Sequence, residues 1–74
     1  MSAVNFAYDD ISELENHAEP EQVSSAIIRL RNFFEKKTCK ETSAQADTDL
    51  TNVEAGKHDP DVFDRLRTYV AETK

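Results

Sequence analysis

Few side chains in this 74-residue chain are strong soft or borderline metal ligands. Cys39 is the one thiol, His17 and His58 are the two imidazoles, and none of the three is near another in sequence. Glu13 and His17 fall on one face of a helix, but a zinc site needs four ligands, or three and a water. Neither a Cys-x-x-Cys pair nor a His-Glu-x-x-His helix occurs. The expectation is no metal and no cofactor. Cys39 stands among Lys36, Lys37 and Lys40, whose charges favour its thiolate. A cysteine nucleophile also needs an oriented base, and the chain brings neither histidine beside it. Cys39 therefore reads as an incidental thiol, with redox sensing or a bridge between copies as secondary readings.

Carboxylate pairs are plentiful: Asp9 with Asp10, Asp47 with Asp49, Asp59 with Asp61. General acid–base work needs a partly dry, concave pocket that perturbs such groups, and a chain this short has little material for one. They read as solvated caps and turns. The segment 47–54 lacks the glycine and ligand spacing of a calcium loop. With one glycine in the whole chain, Gly56, no glycine-rich phosphate cradle can form. No catalytic residue is expected, and the chain reads as a binder rather than an enzyme.

Charge gives the first clue to what it binds. The net charge is −6, which opposes direct, non-specific contact with nucleic acid. The charge is also segmented. Residues 1–22 hold six acids and no Lys or Arg, whereas residues 23–40 hold Arg29, Arg31, Lys36, Lys37 and Lys40 against Glu35 alone. Three candidate surfaces follow. Asp9, Asp10, Glu13 and Glu15 form an acidic one. Arg29, Lys36 and Lys40 form a basic strip within about 40° of arc if one helix carries all three. Ile27, Leu30, Phe33 and Phe34 form an apolar stripe able to supply affinity. Each has a plainer alternative: a solvated face for the acids, pairing with the acidic N-terminal segment for the basic strip, and core packing for the aromatics.

The elements that position these residues are helical. One glycine, two prolines and no alternating β-branched run argue against a β fold. A first helix is predicted from about Asp9 to Ala18, capped by Asp9 and Asp10, with Ala7, Ile11, Leu14 and Ala18 on its stripe. Residues 1–8 read as disordered. A second helix, Pro20 to Lys37, carries Val23, Ala26, Ile27, Leu30, Phe33 and Phe34 on an arc of about 120°. Residues 41–49 read as a polar linker or a solvated helix. A short third helix follows over about 46–55, closed by Gly56. A last helix begins at the Asp59–Pro60 cap and buries Val62, Phe63, Leu66, Tyr69 and Val70, with Asp61 and Arg65 as an i,i+4 pair.

The fold class is thus all-α, a single small domain of three to four helices built on an antiparallel hairpin of residues 20–37 and 60–73. Apolar surface left over on those two helices makes completion by a homodimer plausible, with a monomer as the alternative. The lone cysteine, the absence of a basic start and apolar run in the first residues, and the lack of any spanning stretch place it in the cytoplasm, of a host cell if the source is viral, away from membranes. The function expected is a small acidic protein–protein interaction module: a regulator, adaptor or assembly subunit. The alternative is an inhibitor of the kind phages and mobile elements use, in which Asp9, Asp10, Glu13 and Glu15 mimic nucleic-acid charge and block a nucleic-acid-binding protein.

Overall fold

A computed structural model describes residues 3–16 and 19–73, and these form helices with no strand among them. The helices are α1 (Ala3–Asn16), α2 (Pro20–Lys37), α3 (Lys40–Ala55) and α4 (Val62–Ala71).

Helix α2 follows its predicted bounds. Pro20 occupies the first turn, where its missing N–H has no intrahelical acceptor to lose, and Glu19 before it is extended. Lys36 and Lys37 lie in the last turn, complementing the negative end of the helix dipole. Thr38 then turns extended, and both its N–H and its hydroxyl donate to the Phe34 carbonyl. Ala26, Ile27, Leu30 and Phe34 are buried, which makes α2 the largest contributor to the core.

Helix α1 starts at Ala3, six residues before the predicted cap. Residues 3–8 are therefore helical rather than disordered, because Val4 and Ala7 extend the same stripe as Ile11 and Leu14 toward the N-terminus. Asp9 and Asp10 consequently sit inside the helix and cap nothing. Met1, Ser2, His17, Ala18 and Lys74 lie outside the described residues.

Residues 41–49 belong to α3, so the polar segment is a helix with one buried side rather than a linker. Nothing in it breaks a helix, and Thr48 and Thr51 satisfy their hydroxyls on the carbonyls of Ala44 and Asp47. Its buried positions are Ala46, Asp49, Leu50 and Val53. The helix ends as predicted at Gly56. There φ is 73°, Gly56 N–H donates to Val53 at 3.1 Å and Lys57 N–H donates to Asn52 at 2.9 Å, the two bonds of a Schellman closure. Helix α4 begins at Val62, two residues after Pro60. The Asp59 carbonyl still accepts the Val62 N–H at 3.3 Å, but the Asp59 carboxylate is engaged elsewhere.

The packing order differs from the expected hairpin. Helix α2 packs mainly on α1 and α3, and α4 packs on α1 and α3. Residues 20–37 and 62–71 are thus diagonal to one another, touching through the Phe34 and Tyr69 rings at 6.2 Å. Short connections explain this, since helices joined by two or three residues become neighbours before distant ones can. Arg31 opposite Asp47 and Ser24 opposite Glu54 show that α2 and α3 run antiparallel. The core comprises Ala7, Ile11 and Leu14; Ala26, Ile27, Leu30 and Phe34; Ala46, Leu50 and Val53; and Val62, Leu66 and Val70.

Leu50 is fully buried, so Leu50→Ala should lower unfolding free energy by about 2–5 kcal/mol, whereas Ile28→Ala should change it by no more than about 0.5 kcal/mol. Gly56→Ala meets no atom within 4 Å and should cost about 1 kcal/mol through the left-handed backbone alone. Urea titrations followed by circular dichroism measure all three.

Candidate functional site

Most charged side chains are occupied within the fold. Each of the four arginines bridges a different pair of neighbouring helices. Arg29 of α2 donates to Asp10 (3.0 Å) and Glu13 (2.9 Å) of α1. Arg31 of α2 donates to Asp47 (2.6 Å) and Thr51 (2.8 Å) of α3. Arg67 of α4 meets Glu15 of α1 and also Asp64 on its own helix. Arg65 of α4 reaches Asp49 of α3 at 3.2 Å and grips Asp59 with two parallel bonds of 2.8 Å.

Among the described residues, the Arg65 cluster is the one polar group that enters the core. Asp49 is a buried carboxylate on the apolar side of α3, and it accepts from Arg65 and from the Tyr69 hydroxyl at 3.2 Å. A buried charge needs such partners to be tolerated. Hydrogen bonds from Arg65 hold the Asp59 carboxyl down at about 2, and those from Arg65 to Asp59 and Asp49 push the guanidinium up. Burial raises the Tyr69 hydroxyl. Sequence alone paired Arg65 with Asp61. In the structure Asp61 offers Arg65 only a backbone carbonyl, to the Arg65 N–H.

Cation type divides the molecule. Among the described residues every arginine is paired, while Lys36, Lys37, Lys40 and Lys57 form no ion pair. Lys36 and Lys37 border an open groove of about 290 Å³ between α1 and α2, whose walls include Phe6, Ala7, Arg29 and Phe33. Phe6 is 53 % exposed. Phe33 is half-buried and stands edge-on to Phe34 at 5.5 Å, so its base is fixed by the core while one side faces the groove.

Against this geometry the expected surfaces regroup. Ile27, Leu30 and Phe34 are inside the chain's own core and present no surface to a partner. The stripe was wide because it meets two helices, α1 and α3, and only its edge residue Phe33 reaches the groove. The reason for expecting a second copy to cover α2 falls away with it. The basic strip is divided: Arg29 and Lys36 line the groove, but α2 stops at Lys37 and Lys40 starts α3, lining instead a hollow of about 300 Å³ between α2 and α3. The acidic surface is largely neutralised, since Asp10 and Glu13 are held by Arg29 and Glu15 by Arg67, leaving Asp9 as its one unpaired member. Burial raises the Asp10 carboxyl, with Arg29 opposing. From the sequence, Phe6 stands with Tyr8, Phe33 and Phe34 among aromatics that either pack in the core or form a partner-facing patch, and the structure leaves Phe6 exposed at the groove.

Cys39 is exposed at the head of α3, its Sγ 3.2 Å from the Thr42 hydroxyl oxygen. That hydrogen bond, with help from the Thr42 and Glu41 backbone N–H groups, lowers its pKa. Among the described residues no three His, Cys, Asp or Glu side chains are placed to hold a metal ion, and no helix is long and apolar enough to cross a membrane. Compared with known families, curated proteins and solved structures, the chain matches none.

The depressed Asp59 carboxyl has a sign-definite consequence. A group whose folded value lies below its ordinary 3.8 adds stability above that pH, and the gain is lost as pH falls toward about 2. Asp59→Asn removes this contribution. Stability measured by urea unfolding at successive pH values should decline less steeply for the variant between about pH 4 and pH 2; equal slopes would show that the Arg65 clasp does not form in solution.

Proposed function

We propose that the chain is a protein–protein interaction module, a small cytoplasmic regulator, adaptor or assembly subunit, whose contact surface is the α1–α2 groove. One observation carries this reading. Among the described residues the fold buries its other large aliphatic and aromatic side chains at least in part, except Ile28, yet leaves Phe6 mostly open and Phe33 half-open beside two lysines without ion partners. Aromatic anchors set in a shallow concavity with a charged rim are the usual centre of a protein interface. Completing the burial of a half-exposed phenylalanine adds about 1 kcal/mol, so the two together support a modest, reversible affinity.

The charge-mimic alternative draws no comparable support. A mimic of a phosphate row needs neighbouring free carboxylates, and three of the four residues that would form it are paired with arginine. Direct nucleic-acid contact is disfavoured by the net charge of −6.

Site-specific photocrosslinking tests the reading. A photoreactive side chain at position 6 or 33, introduced in the cells that make the protein, should give adducts to one and the same partner protein. The same group at exposed Gln45 should give none. Adducts from position 9 or 45 with silence from 6 and 33 would move the interface away from the groove and defeat the proposal.

A further inference from the structure

Resting on the assignment of the α1–α2 groove as the contact surface, we infer that its occupant is an acidic amphipathic helix: aliphatic anchors on one face, Asp and Glu along the flank. Two properties of the groove select it. The first is shape. The groove lies between two packed helices, and among the described residues there is no strand whose edge an extended segment could join. A third helix laid along the seam places residues at i, i+3 or i+4 and i+7 against Phe6, Ala7 and Phe33, the spacing by which helices enter such grooves.

The second property is charge. Asp10, the carboxylate in the groove wall, is committed to Arg29, and its side chain is only 13 % exposed. Lys36 and Lys37 remain unpaired at the rim, so the groove is locally positive on a protein that is negative overall. A few carboxylates at the level of these lysines meet opposite charge, while a basic helix meets repulsion there. A polyphosphate strand is a poorer match than a short acidic helix. Its charge continues past the groove into the field of the whole chain, which holds 15 Asp and Glu against 9 Lys and Arg.

Three probes decide the matter: an amphipathic leucine–glutamate helix of about four turns, its leucine–lysine counterpart, and an oligothymidylate of similar length. Binding is read by fluorescence anisotropy, and location by amide chemical shifts of the labelled full chain. The acidic helix should bind and move the amides around Phe6 and Phe33. Its affinity should drop about tenfold in the Lys36→Glu, Lys37→Glu double variant, which should now favour the lysine helix. Both lysines are exposed and unpaired, but they also face the end of α2. The milder Lys36→Gln, Lys37→Gln pair therefore repeats the test and should weaken the acidic helix without creating a preference for the basic one. Selective binding of the lysine helix at the same amides would overturn this inference while leaving the groove as the contact surface. Shifts confined to other parts of the chain, or no shift with either helix, would overturn both. Oligothymidylate binding in the groove more tightly than the acidic helix would replace a protein partner by nucleic acid.

Discussion

The side of α2 that carries Ala26, Ile27, Leu30 and Phe34 has to be kept from water, and no single short helix is wide enough to cover it. Isolated helices of this length are marginal in water, so each depends on the face it buries. α1 and α3 therefore take up opposite flanks of the stripe, and α4 fills the trough left between them, opposite α2. The ring-like order, with every helix packing mainly on two neighbours, is the packing consequence of one broad stripe flanked by short connections. A core this thin has little redundancy, and a small chain buries a smaller fraction of its surface than a large one.

Hydrophobic burial alone does not say which neighbour goes where. Four apolar stripes could be paired in more than one cyclic order, and the arginines discriminate among them. Each of the four helix–helix seams carries one guanidinium facing carboxylates on the other side. Partly exposed pairs of this kind contribute about 0–1 kcal/mol each, too little to hold the fold. A wrong arrangement would nonetheless leave Asp49 buried without Arg65 and Tyr69, and that would cost more than any surface pair returns. The polar contacts thus act on the choice of arrangement, and the apolar ones on its stability.

Helix content was legible from the chain because period and punctuation are local properties. Pro20 and the stripe from Val23 to Phe34 located α2, and Gly56 located the end of α3. What stayed hidden depended on partners distant in sequence. Asp9 and Asp10 resemble caps, yet lie mid-helix because Val4 and Ala7 extend the helix by packing on the core. The segment 41–49 could be read as a linker or as a solvated helix because its buried side shows only Ala46 and a carboxylate. Asp49 could not be recognised as a core residue, since Arg65 and Tyr69 are 16 and 20 positions away. The same applies to the candidate site. Phe33 and Lys36 were visible as members of stripes, and pairing of the basic strip with the acidic N-terminal segment was legible and holds for Arg29, but Phe6 joins Phe33 and Lys36 only after α1 folds back along α2.

The separation of the two cation types has a chemical corollary. The described amines of this protein hold no helix to another, while its guanidinium groups span every seam. Acylation of the lysines would therefore redraw the outer electrostatic relief of the molecule, erasing its positive island, and break none of the ion pairs between helices. Modification of the guanidinium groups would loosen all four seams together. A surface built this way can have its charge altered by enzymes that act on amines without loosening a single seam between helices.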